Sequence, residues 1–155
     1  SASVVAQLSL VTCSGNQNQQ WREFTTFIAT GFQSVDPVRL FDTRRGSPQG
    51  LRTVYQSKIG SDDVLEIQVT GVAGIPVSGV SAVSLNVTAT GPTSEGFITV
   101  YPCGQVPTAS NLNFVSGQTI ANAVLVPVDS RTGTICFYSS SETNLIADIN
   151  GWFRS

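Results

Sequence analysis

Carboxylates and cysteines are the residues of this chain that could do chemistry, because the sequence contains no histidine. That absence removes Ser-His-Asp and Cys-His catalysis, together with imidazole metal ligands. Glycoside hydrolysis needs only two carboxylates. The candidates are a local group, Asp62, Asp63 and Glu66, and a distant pair, Asp42 and Asp148, that could meet only in three dimensions. Surface carboxylates are usually solvated, so we expect no catalytic residues and a protein that is not an enzyme.

Calcium binding would use the same local acidic group. A calcium ion needs several oxygen ligands at once, and Asp62, Asp63 and Glu66 form the densest acidic cluster of the sequence. Neither an EF-hand nor a repeated Gly-Asp motif accompanies the cluster. Calcium is therefore a secondary hypothesis at these three residues, and we expect no other cofactor.

Sugar binding would need an exposed aromatic platform flanked by amides, since a sugar ring has an apolar face and a rim of hydroxyls. Trp21 is the best candidate for this platform, with Asn16 and Asn18 close to it in the sequence. The tyrosines are weaker candidates: Tyr55, Tyr101 and Tyr138. The competing interpretation places the Trp21 ring in the core.

Asp42 and Arg44 lie between a proline and a glycine-rich turn. One interpretation is a structural corner, in which the Arg44 guanidinium forks onto a carboxylate or onto backbone carbonyls that need partners. The other interpretation is a ligand clamp made from the same two side chains. We favour the corner.

The three cysteines are Cys13, Cys103 and Cys136. Cys103 and Cys136 each belong to a strand-like run, and a bridge between them would close a loop of about thirty residues. Zinc-ligand spacing is absent and the composition suits an extracellular surface, so we predict this disulfide. The alternative is that Cys103 and Cys136 are two buried thiols in a reducing cytosol. If they form the disulfide, Cys13 is left unpaired or is available for pairing between chains.

Composition narrows the possible partners. Charged residues make up only 12% of the 155 residues, and the net charge is −2. This balance offers no basic footprint for nucleic acid. There is no apolar run of 18 or more residues, so the sequence predicts no membrane span. We expect a secreted or cell-surface protein.

Period-two alternation dominates the sequence and predicts strands. Val83, Leu85, Val87 and Ala89 alternate with polar residues, as in a strand with one buried and one wet face. Turn residues recur at short intervals, and no long window keeps a helical period. The fold class predicted is all-β, a β-sandwich or jelly-roll-like fold of roughly nine to eleven strands.

The first part of the chain is less regular and contains an amino-terminal strand followed by a polar stretch. Apolar residues alternate within residues 4–12. This strand could leave its own domain and complete a neighbour's sheet, and Cys13 could then lock two chains together. The simpler alternative pairs residues 4–12 within their own domain.

Residues 36–153 resemble a β-rich module that is repeated in large secreted, multi-domain surface proteins of actinobacteria. Five stretches match its motifs in order: residues 36–44 (DPVRLFDTR), 82–90 (AVSLNVTAT), 96–104 (GFITVYPCG), 107–113 (PTASNLN) and 148–153 (DINGWF). The resemblance implies a secreted or surface module, often appended to hydrolases, with no settled activity of its own. The first 35 residues fall outside the pattern, so the resemblance implies two segments: residues 1–35, the amino-terminal strand and polar stretch packed on the domain or exchanged with another, and residues 36–155, the sandwich module.

These observations together predict a non-catalytic secreted or cell-surface module that serves a structural or adhesive role. Two alternatives remain: a carbohydrate-binding module for cell wall or polysaccharide, and a fibre or shell subunit that assembles by exchange of its amino-terminal strand. The partners expected are a glycan, another cell-envelope component, or further copies of the chain.

Overall fold

The computed structural model of the chain describes residues 31–155. These residues form eight β-strands and no helix, so the all-β prediction is confirmed. Within this range no helix is present that could cross a membrane. The strands are β1 (Phe32–Asp42), β2 (Asp63–Gln68), β3 (Val80–Thr90), β4 (Gly96–Tyr101), β5 (Leu112–Phe114), β6 (Thr119–Pro127), β7 (Thr134–Ser139) and β8 (Asn144–Arg154).

The strands form two four-stranded antiparallel sheets, ordered β1-β8-β3-β6 and β2-β7-β4-β5. Strand pairs 1 and 8, 2 and 7, 3 and 6, and 4 and 5 are all hydrogen-bonded neighbours. This nested pairing is what a long hairpin produces when it wraps around a core, which is the jelly-roll arrangement of eight strands. We call the sheet that contains β1 the first sheet and the one that contains β2 the second.

The prediction of nine to eleven strands is wrong for the described residues. Evenly spaced turn residues predict many short strands, but β1, β3 and β8 each run for eleven residues. In addition, the long connection from β1 to β2 contains no strand, and only Ile59 bridges to Thr143 within it. Fewer, longer strands therefore cover the chain.

The core lies between the two sheets, and strand alternation fills it. Val83, Leu85, Val87 and Ala89 are all fully buried, as their spacing predicts. Across the gap, the rings of Phe41 in β1 and Phe137 in β7 meet edge to face, with centroids 5.0 Å apart. Edge-to-face packing of this kind is favourable beyond the area it buries.

The motif at residues 148–153 lies in β8, where Gly151 provides room for an aromatic ring. β1 begins at Phe32, before the boundary predicted at residue 36, and Phe32 pairs with Phe153. A Cβ at residue 151 would overlap the Phe32 ring. Trp152 is buried and packs in the hydrophobic core.

One open side of the sandwich is closed by residues 50–52. The backbone amides of Leu51 and Arg52 donate to the carbonyls of Arg39 and Leu40 at the edge of β1. The Arg52 guanidinium then donates to carbonyls at the end of β2, reaching the second sheet. Gly50 is required at this junction, because a Cβ there would overlap the backbone of β1.

A disulfide joins Cys103 to Cys136, with the two Cα atoms 5.0 Å apart and the cysteines 33 positions apart in sequence. This confirms the predicted pairing. Cys103 follows β4 directly, and Cys136 lies on β7, the neighbouring strand of the second sheet. The bridge therefore fastens the loop after β4 to the sheet.

Replacing both Cys103 and Cys136 with serine is expected to lower the free energy of unfolding by about 3–4 kcal/mol, because the unfolded chain regains the freedom of a long loop. Guanidinium chloride unfolding measures the loss. A dithiol reductant should produce the same loss in the unchanged protein and none in the double variant. Equal stability of the variant and the unchanged protein would contradict this account.

Candidate functional site

The outer face of the second sheet carries the aromatic residues that the core does not use. In β4, Ile98 and Val100 point into the core, so Phe97, Thr99 and Tyr101 point outward. In β7, Ile135 and Phe137 point inward, which turns Cys136 and Tyr138 outward. Pairing of Thr99 with Tyr138 places these outward side chains in neighbouring rows.

The loop of residues 103–110 folds over this outer face and forms a wall. The disulfide holds its start against β7. Its end is held by Thr99, whose Oγ1 donates to the Ala109 carbonyl, and by Asn111. The Asn111 amide donates to the Ile98 carbonyl at 2.9 Å, and its side-chain Oδ1 accepts from the Val100 amide at 2.8 Å. The loop is thus fixed at both ends to a rigid sheet.

The space between this loop and the sheet is a groove of about 500 Å³, which we call the outer-face groove. Its floor is formed by Phe97 and Tyr138, whose ring centroids lie 5.9 Å apart and whose planes are inclined at 47°. Both rings are half-buried. Its walls add apolar and polar side chains, including Val106, Pro107, Ser110 and Asn113. Grooves of this size accept small organic ligands.

A hydrogen bond from Tyr138 to Asp62 fixes the orientation of the Tyr138 ring. The phenol hydroxyl donates to Asp62 Oδ1 at 2.5 Å. Asp62 adopts a left-handed backbone with φ of 62°, a conformation that aspartate tolerates better than most residues. Its amide also donates to the Ser139 carbonyl. The hydrogen bond to Asp62, then burial and the Asp62 charge, raise the pKa of Tyr138 above its ordinary value.

Asp62→Asn is expected to lower the pKa of Tyr138 toward its ordinary value of 10.0, because the carboxylate that holds the phenol proton is gone. NMR titration of ring-labelled tyrosine measures the change. Tyr101 is the internal control, since burial alone raises its pKa and Asp62→Asn should leave it unchanged. An unchanged Tyr138 titration would show that the hydrogen bond does not form in solution.

Asp42 lies at a second polar site, on the outer face of the first sheet. Its side chain is fully buried, and both carboxylate oxygens are occupied. Arg44 donates from its backbone amide, Nε and Nη2, and Arg39 donates from Nη1 at 2.8 Å. Arg39 also donates from Nε to Asp148, so one guanidinium links the two carboxylates. The fork from Arg44 onto a carboxylate is the geometry of the structural corner.

The two arginines decide the charge of Asp42. Burial opposes ionisation, but the hydrogen bonds from Arg44 and the positive charges of Arg44 and Arg39 outweigh it, so the pKa of Asp42 lies below its ordinary value of 3.8. The carboxylate therefore stabilises the fold at pH values above 3.8. This contribution is lost as the pH falls through the lower pKa of the folded state.

Asp42→Asn is expected to lower the free energy of unfolding at pH 7 by about 2–3 kcal/mol, because two arginines lose their buried acceptor. We place the value at the lower end for broken buried pairs since Arg39 and Arg44 are 36% and 43% exposed. Urea unfolding between pH 7 and pH 2 measures the effect, and the difference between the two proteins should shrink below pH 3.8.

Asp129→Asn is the matched control. Arg131 binds the Asp129 carboxylate through its backbone amide, Nε and Nη2, the same fork that Arg44 makes, but Arg131 is 83% exposed. We expect a smaller loss of stability from this variant. Equal losses at both positions would contradict the importance of burial at Asp42.

The structure does not bring Asp62, Asp63 and Glu66 together as a calcium site. Residues 63 and 66 lie an odd number of positions apart in β2, so their side chains leave opposite faces of the strand. The Asp63 carboxylate lies against Gly60. Among the described residues, the group of potential ligands within 4.8 Å of one another is Glu66 with Cys103 and Cys136, whose sulfurs form the disulfide.

The predicted sugar platform of Trp21, Asn16 and Asn18 lies outside the described residues, as do Cys13 and the strand at residues 4–12. Those proposals stay predictions. The outer-face groove was not predicted as a site: Tyr138 was only a weak candidate, and Phe97 and Asn113 were not singled out. The signal available in the sequence was the alternation of β4 and β7, which directs Phe97 and Tyr138 away from the core. The predicted disulfide then places the loop after β4 over these outward residues.

Comparison with known proteins gives no match: no protein-family model, no curated protein and no solved structure is similar to this chain. The resemblance to the actinobacterial module therefore remains a prediction from its motifs. Function has to be argued from the groove and its chemistry.

Proposed function

We propose that this chain is a non-catalytic module of a secreted or cell-surface protein, and that it attaches to polysaccharide through the outer-face groove. The observation that carries the proposal is the pair of half-buried rings, Phe97 and Tyr138, that floors the groove. An aromatic ring face packs against the C–H face of a sugar, and neighbouring amides and hydroxyls bind the sugar hydroxyls.

The chemistry of the groove favours a neutral, hydroxyl-rich ligand. Asn113 and Ser110 offer an amide and a hydroxyl beside the rings, and the lining residues carry no ionised side chain. The nearest acidic group on this surface, Asp62, accepts the Tyr138 hydroxyl and so orients the platform. A fixed ring loses less conformational freedom when a ligand binds, which favours affinity.

An extracellular location agrees with two features of the chain. The Cys103–Cys136 disulfide persists in oxidising compartments and is rare in the cytosol. Because the content of charged residues is low, the polar groups of the surface are mainly hydroxyls and amides. Together they support a secreted or surface-attached module.

The placement of the carboxylates supports a role in binding without cleavage. Glycoside hydrolysis requires two carboxyl groups on either side of the scissile bond. Asp42 and Asp148 share Arg39 as a partner on the other sheet, away from the groove. Among the described residues that line the groove there is no carboxylate. These observations support a binding role for the groove.

A binding screen tests the proposal. The purified chain is mixed with insoluble chitin, cellulose, xylan and peptidoglycan, and a soluble fragment of the polysaccharide that depletes it is titrated by calorimetry. Phe97→Ala and Tyr138→Ala are each expected to weaken binding about tenfold or more, which corresponds to about 1.4 kcal/mol. Tyr55→Ala is the matched control, because Tyr55 is 86% exposed and lies outside the groove.

Three outcomes would overturn the proposal. The first is that no polysaccharide retains the chain. The second is that Phe97→Ala binds as tightly as the unchanged protein, and the third is that the chain releases reducing sugars. If a proline-rich peptide binds the groove while polysaccharides do not, the ligand is a protein, since aromatic grooves also accept extended proline-rich chains.

A further inference from the structure

The four edge strands of the two sheets differ in how they are protected. A free strand edge pairs with other chains unless it is short, charged, bulged or covered. Residues 51 and 52 cover part of β1, which also has irregular register next to its proline. β2 carries Asp63 and Glu66, and β5 has only three residues. β6 is the exception among the described edges.

β6 runs for nine residues, TIANAVLVP, without a charged side chain. Its pairing with β3 is continuous from Thr119 to Pro127, with no bulge. Within residues 31–155, no backbone hydrogen bond from these nine residues reaches a partner other than β3. The blocking residue, Pro127, lies at the last position of the strand, so the edge before it has no backbone partner among the described residues.

The outward side chains in the middle of β6 are apolar and exposed. Ala121 and Ala123 are exposed, and Leu125 is 65% exposed. If two β6 strands pair antiparallel about an axis at Ala123, each Leu125 lies opposite an Ala121 of the other strand. A large side chain then meets a small one twice, and the two Ala123 residues face each other.

We propose that β6 pairs with β6 of a second copy of this chain, which joins the two first sheets into one continuous sheet of eight strands. A second copy is favoured over a different partner because the uncharged strand meets itself without repulsion and because its Ala-Ala-Leu spacing complements itself under a twofold axis. β1 and β2 lack this property, since both carry charged residues.

Pairing of β6 leaves the outer-face groove uncovered, because no β6 residue lines it. The dimer would present two grooves, and two sites on one surface raise the apparent affinity for a repeating polymer. The proposal does not depend on the proposed sugar ligand. Strand pairing alone is a small interface, so we expect a dissociation constant in the micromolar range.

Sedimentation equilibrium across a concentration series, from about 1 to 500 µM, tests the proposal. All proteins carry Cys13→Ser, so that disulfide exchange between chains does not contribute. The mass of this reference protein should rise toward twice that of the chain. Ala123→Lys should weaken the dimer at least tenfold, because it places two ammonium groups side by side at the axis. Val77→Lys, at another exposed apolar position, should leave the dimer unchanged.

Two further measurements keep the result interpretable. Urea unfolding of Ala123→Lys establishes that the variant is folded, and amide hydrogen exchange of the reference protein should slow in β6 as concentration rises.

A chain that stays monomeric, or a dimer that survives Ala123→Lys, would overturn the proposal. It would also be overturned if Leu8→Lys alone dissolved the dimer, since the strand at residues 4–12 would then be the partner. Polysaccharide affinity per groove should be the same in Ala123→Lys, so failure of either proposal can be recognised separately.

Discussion

The packing of the two sheets against each other is the constraint on which the other features of this structure depend. Each strand must direct every second side chain into the shared core, where Phe41 and Phe137 meet. The phase that this imposes on β4 and β7 turns Phe97 and Tyr138 outward. The aromatic platform is therefore a consequence of core packing and of two sheet strands that happen to carry rings on their outer side.

The groove needs a second element, because outward rings on an open sheet face would not enclose a ligand. Residues 103–110 supply the wall, and the disulfide with the hydrogen bonds of Thr99 and Asn111 attaches that wall to the sheet. Loops that are positioned by a rigid scaffold commonly carry function in β-sandwiches. Here the sheet fixes one loop at both ends, so the wall of the groove is already in place, and the proposed binding of polysaccharide would not be opposed by ordering of the loop.

The two Asp-x-Arg forks of the structure show how burial changes the role of the same local motif. Arg44 and Arg131 each bind the carboxylate two residues before them with the same set of donors. The fork at Asp129 lies in an exposed turn, where water competes for the charges. The Asp42 carboxylate is fully buried beneath Arg44 and Arg39, so water does not compete with its two partners. The Asp-x-Arg spacing is the same at both positions, so the packing around each fork decides its role.

The sequence by itself determined the all-β class, the inward phase of β3 and the pairing of Cys103 with Cys136. The first two depend on local alternation, and the disulfide depends on the number and spacing of the cysteines. These patterns can be recognised without knowing which strands pair with each other. It also indicated the Asp42 corner, because the proline and the turn beside it leave backbone groups that require partners.

Tertiary structure decided everything that depends on which strands are neighbours. The number of strands depends on how far each strand stays hydrogen-bonded to its neighbours. The positions of turn residues alone do not specify that length. The acidic residues 62, 63 and 66 were adjacent in sequence yet separated in space, because a strand sends alternate side chains to opposite faces. In contrast, Asp62 and Tyr138 are 76 positions apart and share a hydrogen bond, since β2 pairs with β7. Register between distant strands arises from the core as a whole, and no local pattern in the chain encodes it.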